Sequence, residues 1–264
     1  MTQRILLAAL LVFGLACGDS KNAVGVNNPP PSGPVTAGTF NARSVVVNGT
    51  TYKYQVFVPS SYSSQQSWPV ILELHSSGEK GSDNQLQLTA GLGPVVAAQP
   101  AFPAIVVFPQ MPAVEGGPPF TAVAIAELDQ AEHELKIDTS REYITGFSLG
   151  AIRLYPIVSA YPTRFAAAVP ISGTICIVCG SGTAAAQDSA YTATLTPMRN
   201  VPIWIFHGAN DASVPVADDR LIVQILNGLH APVKYTEYPN ASHTIWDQVY
   251  ASPDLYTWLF AQHR

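Results

Sequence analysis

The chain has 264 residues, of which 47% are hydrophobic and only 12% are charged, and its formal net charge is −5. This length and this apolar fraction suit one α/β domain with a large core. The sequence contains no run of Lys and Arg, so a nucleic acid is not expected as a partner, because phosphate binding requires clustered cations.

The N-terminus has the pattern of an export signal. Arg4 precedes an apolar stretch, residues 5–16, that is too short to span a bilayer as a helix. The stretch runs into Leu-Ala-Cys, which resembles a bacterial lipobox, so residues 1–17 are predicted to be a signal peptide with Cys17 as the lipidated residue. Ordinary secretion with cleavage near Gly18 is the alternative. In both cases we expect an exported chain that meets a membrane only through a lipid anchor, if at all.

A polar segment separates this signal from the domain. Residues 18–38 are rich in Pro, Gly, Asn and Ser and show no hydrophobic periodicity. Such a composition cannot bury enough apolar area to offset the entropy that is lost on ordering. We therefore predict a flexible tether at residues 18–38 and a folded domain over residues 39–264.

Strands and helices alternate along the predicted domain. An Asn-Gly pair at 48–49 joins two β-type segments and predicts a hairpin. Apolar runs then predict buried strands at 69–75, 104–109, 165–171 and 201–206. Further strands are predicted to end at 143–146 and to occupy 233–238, and helices are predicted at 121–135, 149–161, 218–229 and 254–262. This order predicts an α/β fold with a mainly parallel, doubly wound sheet and the hairpin as an antiparallel edge. Ligands bind such sheets beyond the carboxyl ends of the strands.

Ser148 lies in a Gly-x-Ser-x-Gly motif between a predicted strand and a predicted helix. The turn there leaves no room for side chains at both flanks, so Gly146 and Gly150 keep it clear and the serine stands at its tip. The start of the helix favours a developing negative charge. The motif therefore predicts Ser148 as a nucleophile, and a chance match at a turn is the alternative.

Two further loops supply an acid and a base, each directly after a predicted strand. A serine nucleophile requires a base such as His243, which takes its proton, and a carboxylate such as Asp211, which orients the base. Asp218 and Asp219 are alternatives to Asp211, although they lie at a helix start, where carboxylates are common. The chain order Ser148, Asp211, His243 is that of α/β-hydrolases rather than of trypsin-like or subtilisin-like proteases.

The loop after the strand at 69–75 is expected to help stabilise an oxyanion. Acyl transfer requires two amide donors for the negative oxygen. The loop position predicts Ser76 as one donor, with Ser77 as the alternative, and Leu149 as the second. A capping role in a polar surface loop would be the plainer interpretation. Phe147 and Trp246 flank the predicted triad and either line a substrate pocket or pack in the core.

Cys176 and Cys179 are the other two cysteines of the chain. In an oxidising compartment such a close pair indicates a local disulfide, and two free buried thiols are the alternative. A zinc site would need two more ligands, and no other Cys or His lies close to the pair in the sequence. We therefore predict no metal site.

Four segments together resemble one family of bacterial α/β-hydrolase serine esterases. They are HSSGEKGSDN, GFSLG, HGANDASVP and SHTIWDQVYASPDLYTWLF. The family is described as phospholipase/carboxylesterase-like or as predicted peptidases, and it is related to dienelactone hydrolases and feruloyl esterases. The likeness extends from Tyr52 to the end and includes the tryptophan three residues after the catalytic histidine. The chain departs from the family at Ser76 and Ala151, where glycine is usual.

The resemblance implies two-step acyl transfer through an acyl-enzyme, with no metal or organic cofactor. The substrate would be a carboxylic ester, either a small molecule or an ester attached to a polymer. A serine peptidase of the same fold would use the same three side chains and is one alternative. A non-catalytic surface lipoprotein that keeps an unused triad is the other.

Overall fold

The computed structural model describes residues 26–27, 33–113, 119–175 and 184–264, and in these ranges it confirms the predicted α/β-hydrolase fold. Nine strands form one sheet in the order β1-β2-β3-β5-β4-β6-β7-β8-β9. The strands are β1 (Val26–Asn27), β2 (Thr39–Val47), β3 (Thr50–Val58), β4 (Trp68–Leu74), β5 (Ile105–Pro109), β6 (Ile137–Phe147), β7 (Ala167–Ile171), β8 (Ile203–Gly208) and β9 (Val233–Tyr238).

The antiparallel edge of the sheet is built by the predicted hairpin. Val47 of β2 pairs with Thr50 of β3, so the connection is the two-residue Asn48-Gly49 turn. Both turn residues have positive φ, 50° and 80°. Two consecutive positive φ angles match the twist of the flanking strands, and Asn and Gly are the residues that adopt them most readily. From β5 to β9 the strands are parallel.

The chain order reverses direction across the sheet at β4. The chain passes from β4 to β5 on one side and then returns to β6 on the other side of β4. Ligand sites in open α/β sheets form at such a switch point, where the loops after neighbouring strands diverge. The loop that begins at Ser76 follows β4, and Ser148 follows β6, so both predicted segments meet there.

Helices cover both faces of the sheet. They are α1 (Leu92–Ala98), α2 (Phe120–Glu134), α3 (Leu149–Ala160), α4 (Ala184–Leu195), α5 (Val216–Gly228), α6 (Trp246–Tyr250) and α7 (Pro253–Phe260). Residues of α2, α3, α4 and α5 share one buried apolar cluster with the sheet. Residues of α1, α6 and α7 share the other. Strands β4, β5, β7 and β8 are buried along their whole length, as expected of strands covered on both faces.

Part of the predicted tether is ordered against the domain, which differs from the expectation of a flexible segment over residues 18–38. Val26 of β1 pairs with Val47, at the edge of the sheet. Further on, the side chain of Asn41 accepts a hydrogen bond from the Thr36 amide and donates to the Thr36 carbonyl. Gly38 donates its amide to Val58. The open edge of β2 and one asparagine thus hold residues that composition alone marks as unstructured.

Other differences concern three helices. Helices α1, α4 and α6 were not predicted, and α4 lies between the predicted strands at 165–171 and 201–206, where no element was expected. The predicted lipidation site, Cys17, and the predicted disulfide pair, Cys176 and Cys179, lie outside the described residues. Within the described ranges, none of the helices has both the length and the apolar character needed to cross a membrane.

Candidate active site

Ser148 stands on a sharp turn between β6 and α3. Its φ and ψ angles are 52° and −119°, a left-handed conformation that costs energy in a residue with a side chain. A Cβ atom at Gly146 would lie 2.7 Å from the carbonyl carbon and oxygen of Gly150, and one at Gly150 would overlap the carbonyl oxygen of Leu74. The Ser148 amide donates to the Ile171 carbonyl at 2.9 Å, which ties the turn to β7.

The structure brings Ser148, His243 and Asp211 into one line of hydrogen bonds. The Oγ of Ser148 lies 2.9 Å from Nε2 of His243. The Nδ1 of the same ring lies 2.6 Å from Oδ2 of Asp211. The Asp211 side chain is fully buried, whereas 20% of the His243 side chain is exposed. A buried carboxylate thus orients an imidazole that remains accessible on the serine side.

Four donors surround the Asp211 carboxylate. The amides of Ser213 and Val214 donate to Oδ1 at 2.8 and 2.9 Å. Two imidazole rings, those of His243 and His207, lie within hydrogen-bond distance of Oδ2. Burial alone would raise the pKa of Asp211, but the bonds from His243 and the two amides outweigh it and hold the pKa below its usual value. Asp211 is therefore an ionised carboxylate.

The start of α3 lies against the end of β4, next to the predicted oxyanion loop. The Leu149 amide is at the first position of α3, where a helix offers it no internal acceptor. Because Gly150 lies directly on the carbonyl groups of Leu74 and His75, this amide is near the backbone that leads into Ser76. Ser76 is buried. The geometry that an oxyanion requires, with two amides on one side of the nucleophile, is thus compatible with the fold.

An acidic side chain lies beside the same loop. Burial raises the pKa of Glu79, and hydrogen bonding from the Ser76 backbone acts in the opposite direction. The Ser76 amide is therefore close to a carboxyl group, so the role of oxyanion donor for Ser76, like the alternative Ser77, stays a prediction.

The ring of His75 fixes the oxyanion loop in one position. Its Nδ1 lies 2.6 Å from the Ser76 carbonyl, and its Nε2 accepts the Met111 amide at 2.8 Å. Since one partner is an acceptor and the other a donor, the ring is neutral and carries its proton on Nδ1. Burial lowers the pKa of His75 to about 4, in agreement with that state.

Amide side chains hold the far end of the loop. The side-chain oxygen of Asn84 accepts a hydrogen bond from Gln87, and its backbone carbonyl accepts one from Gln55. The backbone amide of Asn84 donates to the side-chain oxygen of Gln110 at 2.7 Å. Gln110 also donates to Asp83 at 2.8 Å. These bonds are mostly buried, where an unmade bond is costly, so the loop is held by its polar contacts.

His243 is supported by contacts from two other elements. Ser172, which also has a left-handed φ of 50°, donates its hydroxyl to the His243 carbonyl at 2.9 Å. Trp246 lies edge-on to the His243 ring with centroids 5.6 Å apart, and it packs against Phe147 with centroids 4.8 Å apart and the rings tilted by 33°. Phe147 is fully buried and belongs to the core, whereas Trp246 is partly exposed. Of the two residues, Trp246 has exposed surface with which it could line a pocket, whereas Phe147 has none.

Ala151, one of the two departures from the family pattern, is accommodated by a glycine on the next strand end. Its methyl group occupies the space where Gly173 would carry a Cβ atom. Ala151 is buried and follows Gly150 directly. The methyl group at position 151 is therefore accommodated by the missing side chain at position 173.

Sequence reasoning assigned no specific role to several residues that shape the site. They are His75, Ser172 and His207, together with Asp219, which was considered only as a rival of Asp211. Asp219 does not reach His243 but lies 2.6 Å from Nδ1 of His207. The His-Gly-Ala-Asn-Asp segment was a signal for His207, since it places a histidine and the acid in one loop. In the described part of the chain, no three His, Cys, Asp or Glu side chains are grouped to hold a metal ion.

Comparison with known proteins gives one family and several relatives. The model of the phospholipase/carboxylesterase family matches residues 117–253, just over half of the chain, and includes Ser148, Asp211 and His243. A solved structure described as a thermostable esterase superposes with a TM-score of 0.72 at 30% identity and covers 85% of this chain. A bifunctional acetylxylan esterase/xylanase from Neocallimastix patriciarum is 30% identical over 135 residues, which is 50% of this chain. An uncharacterized secreted protein of Arthroderma benhamiae is 22% identical over 79% of it.

These relatives are longer than the present chain. The match covers 25% of the Arthroderma protein and 17% of the Neocallimastix protein. It covers 63% of the thermostable esterase. The likeness therefore concerns a part of each curated relative rather than the whole molecule.

The His75 contacts predict an acid-sensitive contribution to stability. The pKa is about 4 in the folded protein and about 6.5 in an unfolded chain. The unfolded state thus binds the proton first, so stability is intact above pH 6.5, is lost as the pH falls from 6.5 to about 4, and levels off below that. The loss amounts to about 3 kcal/mol. Urea unfolding between pH 7 and pH 4 checks this against His75→Asn, which keeps all other histidines. We expect the wild type to lose about 3 kcal/mol more than the variant, and equal losses would contradict the assignment.

Proposed function

The chain belongs to the phospholipase/carboxylesterase family, and from this premise we propose that it is a serine hydrolase that cleaves carboxylic esters through an acyl-enzyme on Ser148. One observation carries the proposal. The nucleophile, the base and the acid form a continuous line of hydrogen bonds of 2.9 and 2.6 Å, with the accessible end at Ser148. A serine in this arrangement is activated for attack, because the neighbouring imidazole takes its proton.

In the first half-reaction, Ser148 Oγ bonds to the carbonyl carbon while its proton passes to Nε2 of His243. Asp211 holds the ring and stabilises the imidazolium, since it is ionised and accepts a hydrogen bond from Nδ1–H. The carbonyl oxygen takes up the electron pair, and the amides of Leu149 and Ser76 donate to it. The tetrahedral species then expels the alcohol oxygen, which receives the proton from Nε2. The product is an ester of Ser148.

In the second half-reaction, water replaces the alcohol. His243 Nε2 takes one proton from the water molecule, and the resulting hydroxide attacks the acyl carbon. The same two amides stabilise the second oxyanion. When the bond to Ser148 breaks, Nε2 returns the proton to Oγ and the carboxylic acid leaves. No metal or cofactor enters these steps, so the described side chains suffice to balance protons and electrons.

We expect Ser148→Ala to lower kcat on p-nitrophenyl acetate, butyrate and octanoate by about 10³-fold or more, because the attacking oxygen is lost. The matched control is Ser159→Ala on the same helix α3, which should retain activity. Turnover is followed as p-nitrophenolate release, and labelling by a fluorophosphonate reports on the nucleophile directly. A folded wild type that neither turns over these esters nor reacts with the fluorophosphonate would favour the non-catalytic alternative.

The leaving group of the substrate distinguishes an esterase from a peptidase. An alkoxide or phenolate departs readily, whereas an amine leaves only after it has been protonated by His243. For p-nitrophenyl acetate and the matching amide, p-nitroacetanilide, we expect kcat/KM to favour the ester by at least about 100-fold. Comparable rates on the two substrates would favour a peptidase.

Among esters, acetyl groups on a polysaccharide are the class that we propose to test first. The support is the 30% identity to a protein described as an acetylxylan esterase/xylanase. We expect acetate release from acetylated xylan by the wild type and none by Ser148→Ala, as measured by an enzymatic acetate assay. Hydrolysis of p-nitrophenyl acetate without release from xylan would restrict the activity to small esters.

A further inference from the structure

Behind Asp211 the structure places a second histidine and a second carboxylate. The His207 ring lies between Asp211 and Asp219, with Nε2 at 3.1 Å from Oδ2 of Asp211 and Nδ1 at 2.6 Å from Oδ2 of Asp219. Nε2 also lies 3.1 Å from the carbonyl oxygen of Val214. None of the three side chains is exposed to solvent. The line of hydrogen bonds that begins at Ser148 therefore continues past Asp211 into the core.

The partners of the His207 ring determine its protons. Both neighbours of Nε2 are oxygen acceptors, so Nε2 must carry a proton. Nδ1 faces a carboxylate at 2.6 Å, so a second proton lies between the ring and Asp219. His207 is thus a donor to Asp211, and Asp219 fixes the ring in the orientation that makes it one. An imidazole that is held between two carboxylates cannot rotate without losing a buried hydrogen bond, which is costly.

This donor acts on the same oxygen as His243. Oδ2 of Asp211 is within hydrogen-bond distance of both rings, at 2.6 Å from His243 and 3.1 Å from His207. A second donor on one oxygen reduces the negative charge density of that oxygen, so the oxygen stabilises the protonated His243 ring less strongly. It also locks the carboxylate in the plane in which it meets His243.

We propose that His207, oriented by Asp219, is a positioning residue for the reaction: it fixes Asp211 against His243 and sets how strongly Asp211 stabilises the protonated His243 ring. The proposal rests on the proposed function, because it assigns a role within the same site. His207 touches neither substrate nor Ser148 and acts through Asp211 alone.

The electrostatic surroundings agree with a charged His207. Burial acts to lower its pKa, but the hydrogen bond and the charge of Asp219 outweigh burial and raise the pKa above its usual value. Burial raises the pKa of Asp219, and the bond from His207 opposes it. The other titratable groups that face this pair are Tyr155 of α3, Asp218 of α5, and Tyr235 and Glu237 of β9. Tyr191 of α4 lies beyond them beside Tyr155, and Arg220 of α5 lies beside Glu237. Glu237 is paired with Arg220 at 2.6 Å, so Asp219 is the dominant partner of His207.

The test compares Asp219→Asn and His207→Gln with Ile222→Ala. Ile222 is a buried residue of the same helix α5, and its side chain has no titratable group. In Asp219→Asn the amide can donate to Nδ1, so His207 becomes neutral but keeps its Nε2 proton. Asp211 then receives a weaker hydrogen bond from His207, and it stabilises the protonated His243 ring more strongly. We expect the acid limb of the kcat/KM profile on p-nitrophenyl acetate to move to higher pH by about half a unit to one unit.

His207→Gln removes the ring that spans the two carboxylates. We expect kcat to fall by about tenfold or more with KM nearly unchanged, because a misplaced acid affects the transition state more than substrate binding. Ile222→Ala lowers the thermal stability through a cavity, and its acid limb should coincide with that of the wild type. If His207→Gln fails to fold, Asp219→Asn alone decides the question.

A purely structural role predicts that Asp219→Asn behaves like Ile222→Ala, with lower stability and an unmoved acid limb, and that result would overturn the proposal. A measurement that does not depend on turnover distinguishes this outcome from a failure of the proposed function. NMR titration of ¹³C-labelled histidine, with the His243 signal assigned by its loss in His243→Ala, reports the midpoint of that ring in the wild type and in Asp219→Asn. A higher midpoint in the variant supports the positioning role even in a chain without ester turnover, and equal midpoints refute it.

Discussion

The close approach of α3 to the end of β4 is the constraint on which the site depends. No side chain fits at position 150, because a Cβ atom there would overlap the Leu74 carbonyl oxygen. This approach brings the first amides of the helix to the loop that contains Ser76, and it forces the chain at Ser148 into a left-handed turn. Ser148 and the predicted oxyanion donors are thus positioned by one packing contact between backbones, and the sheet order supplies this contact by placing β6 next to β4.

Electrostatics give the second layer of organisation, and Asp211 is its centre. A fully buried carboxylate is unstable unless donors replace water. Asp211 obtains two from its own loop, at Ser213 and Val214, and two from imidazole rings on different strand ends. The proposed base is therefore connected to the core through this one carboxylate, and the role proposed for His207 depends on that connection.

Much of the fold was accessible from the sequence because its signals are local. The apolar runs of β4 and β8 and the Asn48-Gly49 turn each predict their element without knowledge of the partner. The order of Ser148, Asp211 and His243 predicts their convergence, because parallel strands end at one edge. Helix α6 has only five residues and too little length for a periodic pattern. The roles of Ser172 and His207 depend on partners that only the folded chain brings near, and β1 pairs from within a polar segment whose composition gives no hint of a strand.

The contact between Ala151 and Gly173 links two positions that are distant in sequence. The volume of one methyl group is available at this point, and it is filled from the α3 side. A side chain at 173 would lie 2.4 Å from the methyl at 151, so it requires either the loss of that methyl or a shift of α3. In the divergence of such chains, the residues at these two positions are therefore coupled through one shared volume.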